Sequence, residues 1–132
     1  MRLLKYLIEA EDPITDADLK NLEMWADKLF SAVGLDIEFS RHFKERVNDA
    51  RNKVQITFSE LTRLFRETYR KYGRKIADLS PNIEAVIKDM ETDINVPFII
   101  SYDRRTQELD LVAKTIMRKK GFKTPDREFV LR

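Results

Sequence analysis

Cysteine is absent from this 132-residue chain, and histidine occurs once, as His42. The first absence excludes disulfides and thiolate metal sites, and the second excludes a histidine-rich metal site. A cysteine-free chain suits a reducing compartment. With three glycines in all, there is no Walker loop, no dinucleotide glycine fingerprint and no serine-nucleophile elbow. No stretch approaches the roughly 20 apolar residues that cross a bilayer, and residues 1–10 lack the apolar core of a secretory signal. Carboxylate sites for magnesium or calcium stay open in principle, but no loop has their spacing. The expectation is a chain without metal, cofactor or membrane.

What is present is globular in kind: 42% apolar and 36% charged residues, enough for one domain with its own core. The net charge of +2 hides a pattern. Residues 1–39, 40–75, 76–117 and 118–132 carry net charges of −5, +7, −4 and +4. Two basic blocks on a near-neutral chain point to a local anionic partner, or to faces that neutralise one another in the fold.

Thr15 reads as a helix N-cap, with Asp16 and Asp18 in a first turn where the helix dipole favours them. Leu19, Leu22, Trp25 or Ala26, Leu29 and Val33 then recur at helical spacing up to Gly34. Residues 35–39 alternate as a short strand. Ser40 caps a second helix over residues 41–50, with Phe43, Val47 and Ala50 inward. Thr57-Phe58-Ser59-Glu60 is a capping box that opens a third helix, ended by Gly73. Strands follow at 83–90, 96–102 and 108–118, the second limited to an edge or to its start by Pro97. Helices first and an antiparallel meander after give an α+β domain over residues 11–132, with N-terminal helices on a C-terminal antiparallel sheet of three to four strands and a basic tail.

Three groups of residues carry chemistry. His42, Arg46 and Asp49 share one helix face by their spacing. An imidazole titrates near neutral pH and a guanidinium stabilises extra phosphate charge, which suits acid–base work on a phosphodiester. Arg63, Arg66, Arg70 and Arg74 form a basic stripe on the third helix, widened by Lys71 and Lys75, with Tyr69 and Tyr72 as stacking faces nearby. Such a stripe holds phosphates in a salt-dependent way, or is an ordinary solvated face. Lys119 and Lys120 lie in the basic tail, which reads as a nucleic-acid or partner contact or as a loosely ordered end.

The stretch around His42-Phe43-Lys44-Glu45-Arg46, taken with Val112-Ala113-Lys114-Thr115-Ile116-Met117-Arg118, resembles the barnase–EndoU–colicin–RelE superfamily of small RNases, and its phage-encoded branches in particular. The resemblance spans most of residues 35–120. It implies His42, Arg46, Lys114 and Thr115 as catalytic residues acting on RNA without a cofactor. Glu45, Asp49 or Tyr102 would complete the acid–base pair. Leu7-Ile8-Glu9, followed by Ala10, is similar to the cleavage signal of the prohead protease of T-even-type phages. That likeness implies a removable capsid-targeting segment over residues 1–10, cut between Glu9 and Ala10. It also implies a protein located in the virion interior or the host cytoplasm. The expected partner is nucleic acid, RNA in preference to DNA. The alternatives are a non-enzymatic protein that binds a host or virion protein, and a DNA-associated accessory factor.

Overall fold

Thr15 and Thr57 open helices in the same way. Each hydroxyl accepts the backbone N–H three residues on, at 3.0 Å from Asp18 and 3.1 Å from Glu60. In return, the Asp18 and Glu60 carboxylates accept the threonine's own N–H at 3.1 and 2.9 Å. In the computed structural model, which describes residues 12–132, these boxes start α1 (Asp16–Phe30) and α3 (Phe58–Ala77). Between them lie β1 (Leu35–Phe39) and the short α2 (Arg41–Arg46). The chain then runs through β2 (Glu84–Asp89), β3 (Ile94–Asp103), β4 (Glu108–Ala113), β5 (Met117–Arg118) and β6 (Arg127–Leu131). The calls on residues 1–10, Glu9 and Ala10 included, lie outside the described residues.

The fold is α+β, but its sheet is larger and less uniform than expected. Among the described residues it has six strands, in the order β1-β4-β3-β2-β6, with β5 pairing β3 off that path. The central pairs β2·β3 and β3·β4 are antiparallel, while β1 joins β4 and β6 joins β2 in parallel. The sequence separates β1 from the meander by two helices, so its parallel pairing is invisible to local patterning. β6 was hidden for another reason: its alternation is only five residues long, and it follows a basic stretch that reads as tail. Burial of Phe129 and Leu131 fixes it against β2.

Two element ends also move. Gly73 does not stop α3; it is buried in the helix interior, where a Cβ would come within 3.2 Å of the Tyr69 ring. The second helix ends at Arg46, and a 3-10 turn (Ala50–Asn52) follows it.

One face of the sheet packs against α1 and α3. Leu19, Leu22, Ala26 and Phe30 of α1 and Leu61, Leu64, Phe65 and Ile76 of α3 are buried with Ile37, Val96, Phe98, Ile100 and Leu111 of the strands. Each of the larger of these side chains, Ala26 apart, contributes about 1.5–3 kcal/mol when removed from water. At the sheet's edge, the Ile37 and Phe39 N–H groups of β1 donate to Asp27 at 2.8 Å and Glu23 at 2.6 Å, both on α1. Among the described residues no strand pairs with the outer side of β1, and carboxylates occupy it.

Candidate functional site

Pro97 decides where the site forms. Opposite it, Lys114 donates its N–H to the Pro97 carbonyl at 2.8 Å, but proline has no N–H to return. The Lys114 carbonyl instead accepts the Ser40 hydroxyl at 2.7 Å. The ladder breaks there, so the 108–118 run predicted as one strand is two, β4 and β5, with Thr115 and Ile116 in the gap. Ser40 is also the N-cap of α2, accepting the Phe43 N–H at 3.0 Å. One hydroxyl therefore sets the helix that carries His42 beside the gap that carries Thr115.

α2 is too short to hold itself in place. Phe43 is fully buried and stacks on Phe39, with ring centroids 4.4 Å apart, and Phe39 in turn meets Phe65 at 5.7 Å. This aromatic row pins α2 to β1 and α3 and leaves His42 exposed.

The result is an open cleft of about 840 Å³, whose lining includes His42, Arg46, Asp49, Thr115, Lys119 and Lys120. Its walls carry six lysine and arginine side chains against two aspartates, so the cleft attracts anions. Arg46 Nε donates to His42 Nε2 at 3.3 Å, so the two side chains meet at the mouth of α2's exposed face. Arg46 also donates to Asp49 at 3.3 Å. The Arg51 N–H, 2.8 Å from Asp49, holds that carboxyl below its ordinary range, and the Arg51 and Arg46 charges act in the same direction. Asp49 is therefore an anion that orients Arg46.

The remaining candidates separate. Lys114 is paired with Glu84 and does not line the cleft. Glu45 is an exposed partner of Arg41 at 3.1 Å. Tyr102 lies seven residues along β3 from Asn95, the β3 residue paired with Met117 of β5, roughly 23 Å away at a strand's rise per residue. On α3, Arg66, Arg70, Lys71, Arg74 and Lys75 are exposed, but Arg63 is turned to the buried Asp89 and to Glu91, the latter at 3.0 Å. Tyr69 and Tyr72 are half-buried: Tyr69 packs edge-on to Phe30, and Tyr72 donates to the Val130 carbonyl at 2.7 Å.

Sequence reasoning missed the residues that shape the cleft. Arg118, only 13% exposed, donates to both oxygens of Glu60 at 2.8 and 3.1 Å. It donates also to the carbonyls of Val54, Gln55 and Thr92 at 3.1, 3.0 and 2.9 Å. All five of its donors are used. Burial pushes the Glu60 carboxyl up, but the Arg118 and Thr57 hydrogen bonds outweigh it and leave the group below its ordinary value. The buried Asn52 accepts the Arg118 N–H at 3.0 Å and donates to the Arg46 carbonyl at 3.0 Å. A buried-arginine role of this kind leaves no periodic mark in a sequence.

Among the described residues, no group of three His, Asp or Glu side chains could hold a metal ion, and no helix is long and apolar enough to cross a membrane. No protein-family model, curated protein or solved structure matches the chain.

Proposed function

We propose that this is a small phage-encoded RNase-like protein that cleaves RNA by imidazole chemistry, without a metal. What supports the reading is the meeting of His42, Arg46, Thr115, Lys119 and Lys120 on one cationic cleft. In such a site the substrate's 2′-oxygen bonds to phosphorus as the bond from phosphorus to the 5′-oxygen breaks. His42 Nε2, released by Arg46, takes the 2′-hydroxyl proton. Arg46 then turns its charge to the non-bridging oxygens, and Thr115 supplies a hydroxyl donor to the same group. The leaving 5′-oxygen takes a proton from the Lys119 or Lys120 ammonium. The products are a 2′,3′-cyclic phosphate and a free 5′-hydroxyl.

The test is to incubate the folded protein with total bacterial RNA between pH 5 and 8 and resolve the products on a gel. Discrete cleavage supports the reading, and an intact pattern from folded protein overturns it.

A second reading, RNA binding without cleavage, is favoured by one observation. His42 has Arg46 as its neighbour and no free carboxylate, since Glu45 is paired with Arg41. Filter binding in the absence of cleavage would select it. Packaging in the virion rests on the Leu7-Ile8-Glu9-Ala10 motif, and its test is mass spectrometry of purified virions for a chain that begins at Ala10.

A further inference from the structure

The part of the cleft wall that follows His42's helix in the chain contains a strained turn. Lys53 has φ 65° and ψ −53°, and Val54 donates its N–H to the Asn52 carbonyl at 2.7 Å. This is a γ-turn of the rare, positive-φ kind. Lysine gains nothing locally from that conformation, and such residues persist where their surroundings over-determine them. Here the surroundings do so on both sides. Asn52 is buried and bonded to the Arg46 carbonyl and the Arg118 N–H. Beyond the turn, the Val54 and Gln55 carbonyls are held by the Arg118 guanidinium. The consequence of the clamp is specific: Val54, an apolar residue, lines the cleft with 58% of its surface exposed. Met117 adds apolar surface to the same cleft, and the Lys53 ammonium is carried beside Val54.

We propose that the Asn52-Lys53-Val54 turn is a subsite for an unpaired nucleobase, which lies against Val54 and Met117 while Lys53 meets the adjoining phosphate. The proposal rests on the reading of the cleft as an RNA site and adds to it the part of the substrate that the turn receives. An exposed apolar contact set among cations suits the face of a splayed base, which a base stacked in a duplex keeps covered. Arg118 and Asn52 are positioning residues: all five Arg118 side-chain donors are spent on the protein, and Asn52 is buried and bonded to the Arg118 N–H and the Arg46 carbonyl.

The experiment uses the full-length protein and two short 2′-O-methyl oligoribonucleotides, which cannot be cut by 2′-oxygen attack. One carries all its bases and the other has abasic sites, and binding is followed by fluorescence anisotropy. Wild-type protein is expected to bind the base-bearing oligomer more tightly. Val54→Ser, a change at an exposed position, should weaken that binding about threefold to tenfold and leave the abasic oligomer unaffected. Lys53→Gly, which accepts the positive φ, should weaken both oligomers alike. Equal binding of the two by wild type, or a Val54→Ser protein that still distinguishes them as wild type does, overturns the subsite alone. Binding of neither oligomer by wild type overturns the RNA reading together with it.

Discussion

The Ser40 hydroxyl donates to the Lys114 carbonyl at 2.7 Å and accepts the Phe43 N–H at 3.0 Å. It thereby fills the gap that Pro97 leaves in the sheet and starts the helix that bears His42. Ser40→Ala removes both bonds and leaves a half-buried carbonyl without its partner. The expected cost is about 1–2 kcal/mol in urea unfolding. RNA cleavage should fall by more than the unfolded fraction explains, because His42 and Thr115 lose their common anchor. Unchanged activity in the folded protein would separate the cap from the site.

For His42 the expectation splits cleanly between activity and stability. The ring is exposed, so His42→Ala should leave the melting temperature within a degree or two while lowering cleavage by about 10²–10⁴-fold. Arg46→Gln should also slow cleavage, and Arg46→Lys should restore little, since an ammonium lacks the planar fork. A His42→Ala protein that cuts RNA at the wild-type rate would remove the imidazole from the mechanism.

A cluster of carboxylates near the β1 edge makes stability depend on pH. Asp36 is raised above the ordinary 3.8, first by a hydrogen bond with Glu108 that needs a shared proton, then by burial and the Glu108 charge. Burial also raises Asp110, joined by repulsion from Asp36, Glu38 and Asp103. Burial likewise raises Asp27, against the opposing hydrogen bond from the Ile37 N–H. Groups raised in the fold contribute stability that is complete below their unfolded value and lost as pH rises through the folded one. Glu60 works the other way, and its contribution fades as pH falls below the ordinary 4.5. Asp110→Asn should therefore raise the melting temperature at pH 7.5 and change it little at pH 3.5. Scanning calorimetry at the two pH values checks both halves, and equal shifts at both would refute the electrostatic cause.

The α3 arginines divide into two kinds. Arg66, Arg70 and Arg74 are exposed, and their joint change to glutamine should weaken RNA binding without loss of stability. For single strands the salt slope should drop by about 2 if all three meet phosphates. Arg63→Gln strands the buried Asp89 and should destabilise by about 1–3 kcal/mol while sparing the salt slope. Filter binding across several salt concentrations, run beside urea unfolding, distinguishes the two kinds.

The sequence was informative wherever one segment decides the outcome. Thr15 and Thr57 announce their helices, the 35–39 alternation marks β1 to the residue, and the spacing of His42 and Arg46 puts them in contact. It was silent wherever the outcome needs a distant partner. The break at Lys114 depends on Pro97 across the ladder, and the true role of Arg63 depends on Asp89. Arg118 looked like one more cation in a basic run, yet its charge is spent on Glu60 inside the fold. Thr115, chosen by resemblance, lines the cleft, while its neighbour Lys114 is paired with Glu84.

The carboxylates of Glu23 and Asp27 on the N–H groups of β1 bear on how this molecule behaves among copies of itself. A bare strand would offer those donors as a template for growth. With two carboxyl groups seated on them, an approaching strand meets filled sites in place of open donors, so this border is a poor template for another copy of the chain.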